Sequence, residues 1–237
     1  MLYLKLALIF LIGYLLGSIS FAVVISKSIY KQDIRNFGSG NAGMTNVLRT
    51  FGKKAAVATF AGDFLKGTFS VVVAKAVMNT VQSAPAPGVD FYKDLAIYIV
   101  VSGALLGHLK PVFFGFKGGK GISVAFGAMM AATPPITLAA FGVWCVTVIL
   151  TKYVSLASIL AVAGYTVFTF ISFYISGTYS IPHGVAAVIL PAVIIYAHRS
   201  NIKRLINVTD NIAQNSVTTL RKITEQICVS IYLRTCK

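Results

Sequence analysis

Long apolar segments recur along this chain, and they constrain its fold more than any other feature of the sequence. Hydropathy places them near residues 3–26, 55–78, 95–108, 122–133, 136–151, 154–176 and 181–197. A helix needs about 20 apolar residues to cross roughly 30 Å of hydrocarbon, and most of these segments approach that length. Of all residues, 57% are hydrophobic and 11% are charged, which leaves little polar surface for a water-soluble globule. The sequence therefore predicts an integral membrane protein.

The predicted fold class is all-α, a polytopic transmembrane helical bundle. Backbone polar groups in lipid must pair within their own segment, as they do in a helix, and the sequence has no alternating pattern of a barrel. The seven segments predict about seven spans. The third to fifth segments are short, and the fourth and fifth flank Pro134 and Pro135 as tilted or half-buried pieces, so five to seven spans are defensible.

The distribution of Lys and Arg predicts the orientation of the bundle. The loop after the first segment and the loop after the third are basic, whereas residues 79–94 carry one lysine and two aspartates. By the positive-inside rule, the N-terminus is outside and the C-terminus is cytoplasmic, which fits an odd number of spans. Residues 1–210 are the predicted membrane domain, and residues 211–237 are a predicted basic amphipathic cytoplasmic tail.

The net charge of +15 is divided among short loops beside apolar segments. That placement indicates membrane topology and attraction to anionic lipid head groups rather than binding of nucleic acid.

The first polar cluster, residues 38–49, reads GSGNAGMTNVLR. It contains GxGxxG, but a dinucleotide site needs a preceding strand, and an apolar span stands there instead. The glycines would let backbone amides approach an anion, and a helix starting near Ala42 would direct free N–H groups at it. Arg49 could clamp a phosphate. The alternative interpretation is an ordinary turn.

The second cluster, residues 107–121, reads GHLKPVFFGFKGGKG and leads into the next apolar segment. Its glycine spacing differs from that of a P-loop, and no Ser or Thr follows Lys120. The amides of Gly118 and Gly119 with the Lys120 ammonium would nevertheless form a phosphate cradle at a helix N-terminus. A basic membrane anchor is the alternative.

The third cluster follows the last apolar segment, and its His198, Asn201 and Arg204 are spaced one helical turn apart on one face. All three clusters lie on the predicted cytoplasmic side, with several cations and no metal-ligand set. This arrangement suits two phosphate-bearing substrates. The alternative, a transporter of an anionic solute, would place its polar residues near the midplane of the bilayer.

Two features inside the apolar segments point to packing. Asp63 and Lys66 stand at i and i+3, where a structural ion pair is favoured slightly over a catalytic role. The small-xxx-small spacings of Gly13 with Gly17, and of Gly103 with Gly107, predict closely packed helices.

In order and placement, the three clusters resemble the motifs of the bacterial acyl-phosphate:glycerol-3-phosphate acyltransferase (PlsY) family. The residues that carry the resemblance read GSGNAGMTNVLR, GHLKPVFFGFKGGKGISVAFG and HRSNIKRL, and DFLKG at 63–67 also fits. The resemblance implies an enzyme of phospholipid synthesis that moves a fatty acyl group from acyl phosphate to the 1-hydroxyl of glycerol 3-phosphate. The products would be lysophosphatidic acid and phosphate, and no cofactor, metal, nucleotide or coenzyme A would be needed. Acyl-chain preference and oligomeric state do not follow from it.

The resemblance also implies a set of site residues. The catalytic residues would be Ser39, Arg49, Lys120, His198 and Asn201, and the substrate-binding residues Gly40, Asn41, Gly43, Asn46, His108, Gly118, Gly119 and Arg204. Ser39 is expected to hydrogen-bond substrate rather than attack it, and the proton acceptor is either His198 or the substrate phosphate. The His-x4-Asp motif of the other known route to this product is absent. The family usually carries a longer acid at the position of Asp210, so no role is assigned to that residue.

Overall fold

The computed structural model describes residues 2–79 and 89–207, and within these ranges every regular element is helical. This confirms the predicted fold class. The helices are α1 (Leu2–Gly17), α2 (Phe21–Ser28), α3 (Met44–Phe51), α4 (Lys53–Asn79), α5 (Val89–Leu109), α6 (Ile122–Ala132), α7 (Pro134–Thr151), α8 (Val154–Ser176), α9 (Ile181–Ala197) and α10 (Arg199–Asn207). Two 3-10 turns, Ile34–Asn36 and Val112–Phe114, lie in the loops.

Helices α1 to α9 belong to one compact unit, and α10 belongs to the following one. The predicted tail and Asp210 lie outside the described residues, so the domain division stays a prediction.

Five segments of the described chain are long and apolar enough to cross a bilayer, and a sixth is added if α9 and α10 are counted as one. The five are Leu2–Ser28, Lys53–Asn79, Phe91–Phe114, Pro134–Thr151 and Val154–Ser176. Helix α6 has 11 residues, which at 1.5 Å per residue is about 16 Å and falls short of the hydrocarbon thickness. The count lies within the predicted range of five to seven and below the seven candidate segments. The orientation stays a prediction.

The first predicted span corresponds to one candidate span, Leu2–Ser28, but it contains a break, because α1 ends at Gly17 and α2 begins at Phe21. A break inside the bilayer leaves backbone carbonyls that need partners other than lipid. Lys66 of α4 supplies them, since its Nζ donates to the Gly17 carbonyl at 2.9 Å and to the Ile19 carbonyl at 2.5 Å. A buried cation therefore stabilises the break.

Helices α1 and α5 pack backbone to backbone, as the glycine spacings predicted. A Cβ added to any of the four glycines would collide with the backbone of the opposite helix, at Val100 and Ala104 for Gly13 and Gly17, and at Phe10 and Tyr14 for Gly103 and Gly107. Small residues at such contacts allow the close approach that stabilises helix pairs in lipid. This contact fixes the end of α5, from which the second polar cluster starts.

Helix α9 contains Pro191, which has no amide proton for the carbonyl of Ala187 one turn earlier. The Thr166 hydroxyl on α8 donates to that carbonyl at 2.6 Å. The hydrogen bond replaces the one that proline removes and joins the last two long helices.

Candidate active site

The first loop, residues 34–43, begins with a 3-10 turn and leads into α3, and hydrogen bonds from the side chain of Asn46 hold its conformation. The Asn46 amide donates to the Ile34 carbonyl at 3.2 Å and to the Phe37 carbonyl at 2.9 Å, while its Oδ1 accepts from the Ser39 amide at 2.9 Å. Asn46 is 2% exposed. The side-chain amide of this residue is hydrogen-bonded to the loop backbone, and its predicted role in substrate binding stays a prediction.

The outer part of the first loop offers backbone and side chains to solvent. Gly38 has a φ of 55°, and a Cβ there would collide with Asn46 Oδ1, so the turn requires glycine. Ser39 and Gly40 are exposed, whereas Asn41 and Gly43 are half-buried. Helix α3 starts at Met44, two residues after the predicted start. Its exposed Arg49 stands on the same short helix.

The second loop, residues 110–121, folds back on the end of α5. The amides of Phe114 and Phe116 donate to the Pro111 carbonyl at 3.2 and 2.9 Å, and the Gly119 amide donates to the His108 carbonyl at 3.0 Å. Gly118, Gly119 and Lys120 are half-buried.

Helix α6 starts directly after the second loop. Its first backbone hydrogen bond runs from Ala125 to Gly121. The preceding amides of the helix therefore have no helical carbonyl partner and are suited to an anion.

The two loops lie side by side. A Cβ added to Gly119 would stand 2.7 Å from the carbonyl oxygen of Ala42, so the second loop touches the backbone of the first. Arg35 provides another link, since its Nη1 donates to the Phe114 carbonyl at 2.6 Å and to the Lys117 carbonyl at 3.5 Å. The structure thus brings together two glycine-rich clusters that are far apart in sequence.

Arg35 is itself held by Asp33. Its Nε donates to Oδ1 at 2.9 Å and its Nη2 to Oδ2 at 2.7 Å, and Lys27 Nζ lies 3.3 Å from the same carboxylate. The hydrogen bonds from Arg35 hold the pKa of the Asp33 carboxyl well below its usual range, against the opposing effect of burial. The Asp33 carboxylate in turn raises the pKa of Arg35. Neither residue was among the predicted site residues, because neither belongs to a glycine-rich cluster.

The two loops and their flanking residues carry a strongly positive charge. Residues 27–54 and 110–121 contain nine Lys and Arg side chains and one carboxylate, Asp33. That carboxylate is already paired with two cations. The remaining positive charge and the glycine-rich backbone favour anionic ligands.

Beneath the second loop lies a buried group of three ionisable side chains. Lys66 Nζ stands 2.8 Å from Asp63 Oδ1 and 3.1 Å from His108 Nδ1, and the latter atom is 3.6 Å from the Asp63 carboxylate. The three residues are 1–5% exposed. The predicted pairing of Asp63 with Lys66 is therefore confirmed, and its structural role stays a prediction.

The other ring nitrogen of His108, Nε2, faces Gly119. Predicted to bind substrate, His108 is buried and supports the second loop from below.

The third cluster forms the start of α10. The amides of Asn201 and Ile202 donate to the His198 carbonyl at 2.7 and 2.9 Å. The Arg204 guanidinium donates to Asn201 Oδ1, so these two side chains share a helical face, as their spacing predicted. In the parts of the chain that the structure describes, no three His, Cys, Asp or Glu side chains are grouped as metal ligands.

Residues 7–208 match the family described as glycerol-3-phosphate acyltransferase. The chain belongs to this family. The membership confirms the predicted resemblance, the acyltransferase assignment and the place in phospholipid synthesis.

Individual relatives agree with this family. The chain is 41% identical over 203 residues to the glycerol-3-phosphate acyltransferase of Clostridioides difficile (strain 630), covering 86% of this chain and 93% of the relative. It is 41% identical over 194 residues to that of Aquifex aeolicus (strain VF5), covering 82% and 92%.

Two solved structures share the fold. The crystal structure of PlsY (YgiH), an integral membrane glycerol 3-phosphate acyltransferase, in its glycerol 3-phosphate form superposes with a TM-score of 0.73 at 38% identity, covering 85% of this chain and 92% of that one. The lysophosphatidic acid form gives a TM-score of 0.70 at 37% identity with the same coverage. The family fold is therefore an integral membrane fold, as the hydropathy predicted.

Proposed function

We propose that this family member transfers a fatty acyl group from acyl phosphate to the 1-hydroxyl of glycerol 3-phosphate, producing lysophosphatidic acid and inorganic phosphate. The observation that carries the proposal is the contact between the first and second loops at Ala42 and Gly119. Each loop combines glycine backbone with nearby cations, and each proposed substrate carries one phosphate. The glycerol 3-phosphate and lysophosphatidic acid forms of the solved relatives support the acceptor and the product.

In this proposal the cations bind phosphate and the amides complete its coordination. Arg49 and Lys120 neutralise the two substrate phosphates, with Arg49 able to bind in a bidentate manner. The Gly119 amide already donates to the His108 carbonyl. The Gly118 amide and the first amides of α6 therefore stabilise the charge of the departing phosphate in this proposal. Ser39, exposed on the first loop, hydrogen-bonds substrate. The resemblance to the family assigns His198, Asn201 and Arg204 of the third cluster to the same reaction.

The proposed reaction needs alignment more than strong base catalysis. The glycerol 1-oxygen attacks the acyl carbon, the bond from that carbon to the phosphate oxygen breaks, and inorganic phosphate leaves. The hydroxyl proton passes to His198 or to a substrate phosphate. Phosphate is a good leaving group from a mixed anhydride, so holding the two substrates together and stabilising charge account for most of the required catalysis. No step uses a cofactor.

The identity of the acyl donor is tested by incubating the purified protein in detergent with glycerol 3-phosphate. Acyl phosphate or acyl-coenzyme A is added as donor, each with and without chelator, and the products are measured. We expect lysophosphatidic acid and one phosphate per product from acyl phosphate, undiminished by chelator, and no product from the thioester. Robust product from acyl-coenzyme A, or loss of activity with chelator, would contradict the proposed donor and mechanism.

We also propose that the two loops face the cytoplasm of a bacterial inner membrane, in contact with membrane lipids. A cysteine at exposed Ser39 should then react with impermeant reagents from the cytoplasmic side. One at Ser83, which lies outside the described residues, should react from the opposite side. Labelling of both from the same side would overturn the orientation.

A further inference from the structure

Arg35 of the first loop donates hydrogen bonds to the backbone of the second loop. Two of its nitrogens, Nε and Nη2, are occupied by the Asp33 carboxylate, which leaves Nη1 directed at the second loop. Nη1 donates to the Phe114 and Lys117 carbonyls, 79 and 82 residues away in sequence. A guanidinium can serve both partners because its donors form a planar, rigid fork.

The two carbonyls lie where they determine the course of the second loop. Phe114 ends the 3-10 turn, and Lys117 directly precedes Gly118. Beyond them, the Gly119 amide is fixed to the His108 carbonyl at 3.0 Å. The segment that leads to Lys120 is therefore held by Arg35 at one end and by α5 at the other.

Hydrogen bonds within the first loop fix the backbone on which Arg35 stands. Asp33 accepts from the Arg35 amide at 3.0 Å, which fixes the turn from which the guanidinium extends. Asn46 binds the Ile34 and Phe37 carbonyls on either side of Arg35. The position of the guanidinium is thus set by the first loop, while its free donor binds the second.

We propose that Arg35, oriented by Asp33, is a positioning residue that sets the distance between the two phosphate-binding loops. This inference rests on the proposed function, in which the loops bind two different substrates. Arg35 touches neither phosphate in this scheme; it binds main-chain carbonyls. Loss of the link leaves each loop able to bind its own phosphate and changes the spacing of the reacting atoms.

Loss of the Arg35 link should therefore affect the rate of acyl transfer more than the binding of substrate. Misplacement of reacting groups by about 1 Å can cost roughly a hundredfold in rate. Arg35→Ala should therefore lower kcat tenfold to a hundredfold while the KM for glycerol 3-phosphate changes less than threefold. Arg35→Lys should recover little, because an ammonium keeps the charge without the fork. Lys27→Ala is the matched control, since Lys27 also pairs with Asp33 and, among the described residues, donates no hydrogen bond to the second loop.

The experiment measures kcat per binding-competent site. Calorimetric titration with glycerol 3-phosphate gives the number of sites per chain in wild type and in each variant. Acyl transfer from acyl phosphate is then divided by that number. If Arg35→Ala does not purify as a folded protein, the stoichiometry and the kcat of Arg35→Lys are used to test the inference instead.

The expected result is full binding stoichiometry with a kcat reduced at least tenfold in the Arg35 variants and near normal in Lys27→Ala. Stoichiometry that falls in proportion to activity would reveal a merely structural role and overturn the inference. An unchanged kcat, a loss confined to KM, or an equal loss in Lys27→Ala would overturn it too. Failure of the wild-type enzyme to use acyl phosphate would instead refute the proposed function.

Discussion

Replacing Lys66 by methionine should destabilise the protein more than any other single change of a lysine on α4. Methionine fills a similar volume but carries no charge and no donor. The change leaves the Asp63 carboxylate buried at 1% exposure without its partner at 2.8 Å. It also removes the donor to the carbonyls of Gly17 and Ile19 at the break between α1 and α2.

The magnitude follows from these contacts. Removing one partner of a buried ion pair costs about 3–5 kcal/mol, because the remaining charge is uncompensated. The carbonyls of Gly17 and Ile19 also lose their donor, and an unpaired carbonyl away from water adds to the cost. At roughly 2–4 °C per kcal/mol for a chain of this size, the unfolding temperature should fall by about 6–20 °C.

Thermal unfolding in detergent, with bound glycerol 3-phosphate absent, measures the effect. Lys75→Met is the control, since Lys75 lies on the same helix, is exposed, and binds one carbonyl, that of Ala131, at 2.6 Å. The double variant Asp63→Asn with Lys66→Met should be more stable than Lys66→Met alone, because the unpaired charge is gone. An unfolding temperature of Lys66→Met equal to that of Lys75→Met, or a double variant less stable than the single, would refute the reasoning.

Three further predictions concern the loops. Gly119→Ala should reduce acyl transfer at least tenfold, since its Cβ would collide with the backbone of the first loop; Gly142→Ala, whose Cβ meets nothing within 4 Å, should leave the rate unchanged. Arg49→Ala and Lys120→Ala should each lower kcat/KM roughly tenfold to a hundredfold or more, the equivalent of about 1.5–3 kcal/mol for a charge-assisted contact, while the proteins still insert and purify; wild-type rates in both would remove them from the site. The Asp33 carboxyl has a pKa below its unfolded value of about 3.9, so its contribution to stability is fully present above pH 4 to 5 and is lost as the pH falls through the folded pKa. Asp33→Asn should therefore lower the unfolding temperature by a constant amount from pH 5 to 8, and a difference that changes across that range would contradict the assignment.

The sequence alone determined the fold class, and it predicted the chemical character of the candidate site. Predicted segments 154–176 and 181–197 coincide with α8 and α9, because the bilayer imposes length and hydropathy on each segment separately. Glycines and cations in the loops likewise indicated an anion site, since those residue types have few other uses together. Both inferences depend on neighbouring residues and need no knowledge of distant contacts.

Tertiary structure decided the direction in which each polar side chain points. Asn46 and His108 were predicted to bind substrate, and only the fold shows that the Asn46 amide group bonds to the first loop and that His108 Nε2 faces Gly119. The break after Gly17 lies in an uninterrupted apolar segment and is stabilised by Lys66, 49 residues away. Arg35 meets its carbonyl partners about 80 residues further along the chain. Such contacts are set by how the helices pack, and no local pattern of residues encodes them.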